Sequence, residues 1–123
     1  MAFTLIINGT DFSEYIQQKT DIKESMRRIT GEAEDLAVDG TMITDLVAIK
    51  WDPAFLLKPL RKSDMQTLLT LMQQEKVSLQ YTSVVSNTIR VIEAEPASIS
   101  VQYATTWNGE DIYAPTPISF LEV

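Results

Sequence analysis

Apolar residues recur at every second position along several stretches of this chain, and at helical spacing over more than one turn along a single stretch. Val47, Ile49 and Trp51 alternate with Ala48 and Lys50. Val77, Leu79 and Tyr81 alternate with Ser78, Gln80 and Thr82. Ile99, Val101 and Tyr103 alternate with Ser98, Ser100 and Gln102. A period of two turns one face of a strand to the core and the other to solvent. Phe3 to Ile7 forms a shorter β-type run, as do Ile89 and Val91, which end near Glu95-Pro96. Tyr113, Ile118 and Phe120 belong to a last strand loosened at its start by Pro115 and Pro117. Helical spacing appears at Met65, Leu68, Leu69 and Met72, one stripe of a helix expected over Asp64 to Gln74. Ser63 is its expected N-cap, with Gln66 as capping-box partner. Strands throughout and one central helix predict an α+β fold: a mainly antiparallel β-sandwich or barrel with one flanking amphipathic helix. With 123 residues, 45 % of them hydrophobic, and neither repeat nor linker, residues 1–123 read as a single domain.

Turn chemistry divides these runs. Asn8-Gly9 and Asn108-Gly109 suit tight hairpin turns, and Ser86-Asn87 marks another turn. Asp11 is expected to cap one short helical turn with Glu14 as its partner, pinning Phe12, Tyr15 and Ile16 to the core. Ile22 to Ile29 reads as a polar edge strand, the kind that resists unwanted pairing. Pro53 forces an edge, a bulge or an exit from the ladder. Gly31 to Asp45 holds five carboxylates (Glu32, Glu34, Asp35, Asp39 and Asp45) and no basic residue. It reads as a solvated loop, a long hairpin arm or an inter-subunit arm. An EF-hand reading fails because Leu36, Ala37 and Val38 interrupt the ligand positions.

Composition removes most chemistry. The chain has no histidine and no cysteine, so Ser-His-Asp and Cys-His nucleophile systems have no residues to be built from. Zinc sites with His or Cys ligands fall with them. The four glycines fit no phosphate-cradling loop. Glu93 and Glu95 share a strand face and read as solvated rather than as an acid–base pair. No enzymatic activity and no cofactor are therefore expected. A net charge of -7 offers no basic footprint for nucleic acid. No apolar run approaches a bilayer span. Met1 to Ile7 lacks a basic flank and reaches Asn8-Gly9 too soon for a signal peptide. Trp51 is expected in the core. Trp107, beside a hairpin turn, is expected to be an exposed contact residue, and with Tyr103 it offers a stacking platform for a sugar or base.

The stretch Ile7-Asn8-Gly9-Thr10-Asp11-Phe12-Ser13-Glu14-Tyr15-Ile16 resembles the start of small tail proteins from phages and prophages of Gram-positive bacteria. Further matches follow in the same order. They are Asp39-Gly40-Thr41 leading to Val47-Ala48-Ile49-Lys50, Pro59-Leu60 before a helix carrying Leu68-Leu69, the strand Val77-Ser78-Leu79-Gln80-Tyr81, and a closing hairpin with Trp107 before its turn. The chain departs from that pattern at Gly31 to Leu36, where such proteins often carry a Gly-rich, less acidic stretch. The resemblance implies a tail-tube-like fold and a tube, tail-terminating or baseplate subunit, present in the virion tail and, before assembly, in the host cytoplasm. Its implied partners are copies of itself, in a ring and commonly a hexamer, together with other tail proteins. DNA would pass through the lumen without specific binding. The expected assembly interface comprises Glu32, Glu34, Asp35, Asp39, Asp45, Met42 and Ile43 on the arm, and Trp107. A carbohydrate- or receptor-binding baseplate module is the alternative.

Overall fold

The alternating stretches become strands of one curled antiparallel sheet. The computed structural model describes residues 3–30, 35–36, 42–43 and 46–123. Among these, the order is β1 (Leu5–Ile7), β2 (Thr10–Asp11), β3 (Ile22–Thr30), β4 (Asp35–Leu36), β5 (Met42–Ile43), β6 (Leu46–Leu57), β7 (Leu60–Arg61), α1 (Lys62–Met72), β8 (Val77–Thr82), β9 (Ile89–Ile99), β10 (Tyr103–Trp107), β11 (Glu110–Tyr113) and β12 (Thr116–Glu122). The main sheet runs β2-β1-β8-β9-β12-β6-β3, with β10-β11-β7 and β4-β5 as smaller sheets. Every pairing is antiparallel. This is the mainly antiparallel α+β architecture that the alternation predicts.

One face of the main sheet is the core. Leu5, Ile7, Phe55, Leu57, Val77, Leu79, Tyr81, Ile92, Ala94, Ile118 and Phe120 are buried on it. Met65 and Leu68 of α1 cover it, together with Phe12 and Ile16. Each such apolar side chain contributes roughly 1.5–3 kcal/mol of transfer free energy. Three strands separate β8 from β3 in the sheet order. Even so, Tyr81 on β8 reaches Glu24 on β3, and its ring meets Phe55 on β6 edge-on at 5.5 Å. The sheet is therefore curled into an open barrel, with α1 across one side.

The two Asn-Gly turns form as expected. Asn8 and Gly9 lie at φ 50° and 86°, and Asn108 and Gly109 at 50° and 75°. Positive φ at both central residues matches the right-handed twist of the flanking strands, and Asn-Gly tolerates it at least cost. Asp11 does accept the Ser13 N–H at 2.8 Å, but from the end of β2 and without Glu14 as a reciprocal partner.

Four expectations are corrected. The helix begins at Lys62, with Arg61 at the cap position and no capping side chain. Pairing of β7 with β11 ends at Arg61, so the chain turns helical at once and Ser63 falls inside the first turn. There the Ser63 carbonyl accepts the Thr67 hydroxyl at 3.2 Å. Ser63→Ala should therefore change stability by less than about 0.5 kcal/mol in a thermal melt. A loss of about 1 kcal/mol would restore Ser63 as the cap. Second, β9 runs through Pro96 to Ile99. Pro96 lies opposite Phe120, next to a register shift in β12, where a missing N–H is tolerated. Third, Ile99, Val101 and Tyr103 do not share a strand: β9 ends at Ile99 and β10 begins at Tyr103. Residues 100–102 carry the chain between sheets, and Gln102 O accepts the Ala114 N–H at 2.8 Å. Fourth, Tyr113 ends β11 rather than starting the last strand, because Ala114-Pro115 separates it from β12.

Candidate assembly surface

The polar strand Ile22 to Ile29 is β3, at one edge of the main sheet. It pairs with β6 from Ile22↔Phe55 out to Thr30↔Leu46. Between β3 and β6 in the chain, β4 and β5 pair at Asp35↔Ile43 and Leu36↔Met42 as a separate two-stranded sheet. On the other side of β6, the ladder to β12 stops at Ser119↔Ala54. Pro53 comes next and has no N–H to offer. Two side chains replace the missing rungs. Glu122 Oε1 accepts the Trp51 N–H at 2.8 Å, and Asp52 Oδ1 accepts the Glu122 N–H at 3.0 Å. The Lys50 ammonium caps the Val123 carbonyl at 3.0 Å. Beyond Lys50, among the described residues, β3 and β6 pair only with each other. The result is a two-stranded arm, a structure marginal in water unless something packs on it.

A charged network anchors the root of this arm. Arg27 holds Asp52 through Nε at 3.0 Å and Nη2 at 3.2 Å, and Nη2 also reaches the Glu122 carbonyl at 2.6 Å. The Arg90 guanidinium joins Glu122 Oε2 at 3.2 Å to Glu24 Oε2 at 3.6 Å, and donates to the Tyr81 hydroxyl at 3.1 Å. The Glu24 carboxylate is nearly sealed from solvent. Its Oε1 accepts the Ser83 hydroxyl at 2.7 Å, the Val84 N–H at 2.7 Å and the Val85 N–H at 3.2 Å. Its Oε2 accepts the Tyr81 hydroxyl at 3.0 Å. Burial alone would raise its pKa, but the four hydrogen bonds together outweigh that and hold it below the ordinary value. Burial and the Glu24 charge both push the Tyr81 phenol up, so it stays a donor. Glu24 is thus the plug of the open barrel, a structural carboxylate.

Outward from this plug, among the described residues, the core-side face of the arm is largely exposed. Cross-strand partners share a face, which places Glu24 with Pro53, Met26 with Trp51, and Arg28 with Ile49. Met26 is 55 % exposed and Ile49 48 %. Trp51 is partly buried on the arm rather than in the core, which corrects the expectation from its alternation. It lines a cleft of about 320 Å³ together with Glu24, Ser83, Val85, Ser86 and Arg90. Val85 at the cleft is 59 % exposed. Composition patterns could not find this cleft, since its residues come from β3, the middle of β6, the turn after β8 and the start of β9.

Trp107 is exposed, as the sequence suggests, and lies opposite Glu110 beside the Asn108-Gly109 turn. The stacking platform is not formed. A register shift between Tyr103 and Thr105 puts Tyr103 on the face opposite Trp107, with its hydroxyl 2.7 Å from that of Thr106. Of the other candidate residues, Asp35, Met42 and Ile43 belong to the separate β4–β5 pair. Glu32, Glu34, Asp39 and Asp45 lie outside the described residues. Glu93 and Glu95 are exposed on β9. Among the described residues no group of three Asp or Glu converges as a metal site, and no helix is long and apolar enough to cross a membrane. The chain matches no protein-family model, no curated protein and no solved structure.

Proposed function

We propose that this chain is a non-enzymatic structural subunit of a phage or phage-derived tail: a tube, tail-terminating or baseplate component that assembles through an edge strand and an extended arm. The observation that carries this reading is the β3–β6 hairpin. Among the described residues it leaves the sheet as a two-stranded ribbon, yet presents Met26 and Ile49 exposed beside Trp51. A monomer gains nothing from such a ribbon, whereas a neighbouring subunit can bury it. The motif order noted above supplies the tail assignment, with a ring of copies and other tail proteins as partners. An acidic subunit of net charge -7 suits a lumen through which DNA slides without sticking. The sugar-binding alternative has less support, because Tyr103 and Trp107 face opposite ways.

Light scattering after gel filtration, with electron microscopy of the same fractions, tests the reading. The wild type is expected as rings or stacked rings. Replacing residues 31–45 by an Asn-Gly turn should abolish them while leaving the circular dichroism spectrum β-rich. A wild type that stays monomeric at every concentration, alone and mixed with tail assemblies, sinks the proposal. Undiminished assembly without the arm tip sinks the arm's role in it.

A further inference from the structure

The molecule carries a cleft at one end of β12, and a hairpin bearing an exposed indole leaves from the other. The cleft lies where β8 ends, β9 begins and β12 reaches Glu122. The β10–β11 hairpin leaves from the opposite end, next to Thr116 at the start of β12. Along β12 the two ends are about 20 Å apart, at about 3.3 Å per residue. Trp107 at the hairpin tip is 62 % exposed. Water is a poor environment for so large an apolar ring, and exposed tryptophans at protruding tips are the usual anchors of interfaces.

The two ends are complementary in chemistry as well as position. From Tyr103 to Tyr113 the hairpin carries Glu110 and Asp111 and no basic residue. At the cleft, Arg90 serves both Glu24 and Glu122. Lys19 sits on the rim, donating to Asn87 Oδ1 at 2.9 Å, and Arg28 is exposed on the next cross-strand pair outward. Arg90 is balanced by Glu24 and Glu122, so Lys19 and Arg28 supply the surplus positive charge beside the cleft, in a chain whose overall charge is -7. The walls are apolar: Trp51 and Val85, with Met26 at the mouth. The volume, about 320 Å³, is at the lower end of the range of about 300–1,000 Å³ for pockets that hold a compact organic group.

We infer that this cleft receives Trp107 of a second copy of the same chain, with Glu110 and Asp111 of that copy settling against the Lys19, Arg28 and Arg90 rim. The inference rests on the assembly reading above and names one of its contacts. Knob and hole are different patches, so a contact made in one direction only is heterologous, and repeating it generates a ring or a filament. It engages the root of the arm at Met26 and Trp51, whereas the replacement proposed above tests residues 31–45.

Two variants and their mixture test it. Trp107→Ala removes the knob and Val85→Arg blocks the hole. Both positions are exposed, so both variants should keep the wild-type melting curve. Each alone should weaken self-association at least about 30-fold, the loss seen for a central aromatic anchor. Mixed one to one they should form heterodimers, since each retains the half the other lacks. Separate copies carrying Glu110→Cys and Val85→Cys should also join through a disulfide under mild oxidation, with no native thiol to compete. If the wild type assembles and either variant assembles as tightly, the cleft has a different occupant and the inference falls. It falls equally if the folded variants stay monomeric when mixed, or if the cysteine pair does not join. A wild type that never assembles instead overturns the tail reading on which it rests.

Discussion

Glu24→Ala should lower the free energy of unfolding by about 3–5 kcal/mol, the range for stripping one partner from a buried, paired charge. The loss is large because five groups depend on that carboxylate. Without it the Val84 and Val85 N–H groups, the Tyr81 and Ser83 hydroxyls and the Arg90 guanidinium all lose an acceptor at the barrel end. Each orphaned donor costs on the order of 1–3 kcal/mol if it stays dry, and local relaxation or entering water recovers part of the sum. For a chain of this length the melting temperature should fall by roughly 10–20 °C. Glu24→Gln keeps the shape and one acceptor oxygen, and should cost about 1–2 kcal/mol. Acid provides a second check. The folded-state pKa of Glu24 lies below its ordinary value of 4.5. A carboxylate depressed in the folded state contributes stability above the unfolded value, and that contribution is lost as pH falls through the folded value. The gap between wild type and Glu24→Gln in urea melts should therefore be constant above about pH 5 and narrow below it. A gap that widens in acid would mean that the carboxylate is not held ionised by its partners.

Glu24 also marks the limit of what the linear sequence discloses. Periodicity located the strands around Val77–Thr82 and Leu46–Leu57 and the stripe of α1, because burial on one face imposes a period of two or 3.6 wherever packing decides the residue. Turn chemistry placed Asn8-Gly9 and Asn108-Gly109 for an equally local reason, since positive φ at two successive residues selects that pair. Glu24 looked like one more charge on a polar edge strand. Its role depends on the sheet curling until β3 meets the turn after β8, a contact 57 to 61 residues away in the chain. The same holds for Pro53. The sequence predicts an interrupted ladder there, and the repair by Asp52 and Glu122 depends on which strand lies alongside. Trp51 misleads for a related reason: alternation continues past the plug, so its face is the core face of β6 after the core itself has ended. The head-to-tail surface was half legible. Trp107 declares itself beside its turn, whereas the cleft is built from β3, β6, the turn after β8 and the start of β9, which only the topology brings together.

Phe55→Ala should be the most damaging single truncation in the apolar core, at about 3–5 kcal/mol. Phe55 is 2 % exposed and central to the aromatic stack. Its ring meets Tyr81 edge-on at 5.5 Å and 75°, and Phe120 at 6.2 Å and 66°. Each such pair adds about 0.5–1.5 kcal/mol beyond the area it buries. The three rings come from β6, β8 and β12, so truncating the middle one leaves a void between three strands of the curled sheet. Backbone ladders on both sides of β6 limit how far its neighbours can collapse into that void, which places the cost in the upper half of the range. Phe55→Leu keeps most of the volume and loses the edge-on geometry, and should cost about 1–1.5 kcal/mol. Urea titrations would separate the two, with the midpoint falling at an unchanged slope in both variants. Combining Phe55→Ala with Tyr81→Phe is informative. Tyr81 lies between the aromatic stack and the Glu24 plug, so the two losses should couple by at least about 0.5 kcal/mol rather than add. Strict additivity would mean that the plug and the stack are independent, and that Glu24 does not hold the curl that packs Tyr81 against Phe55.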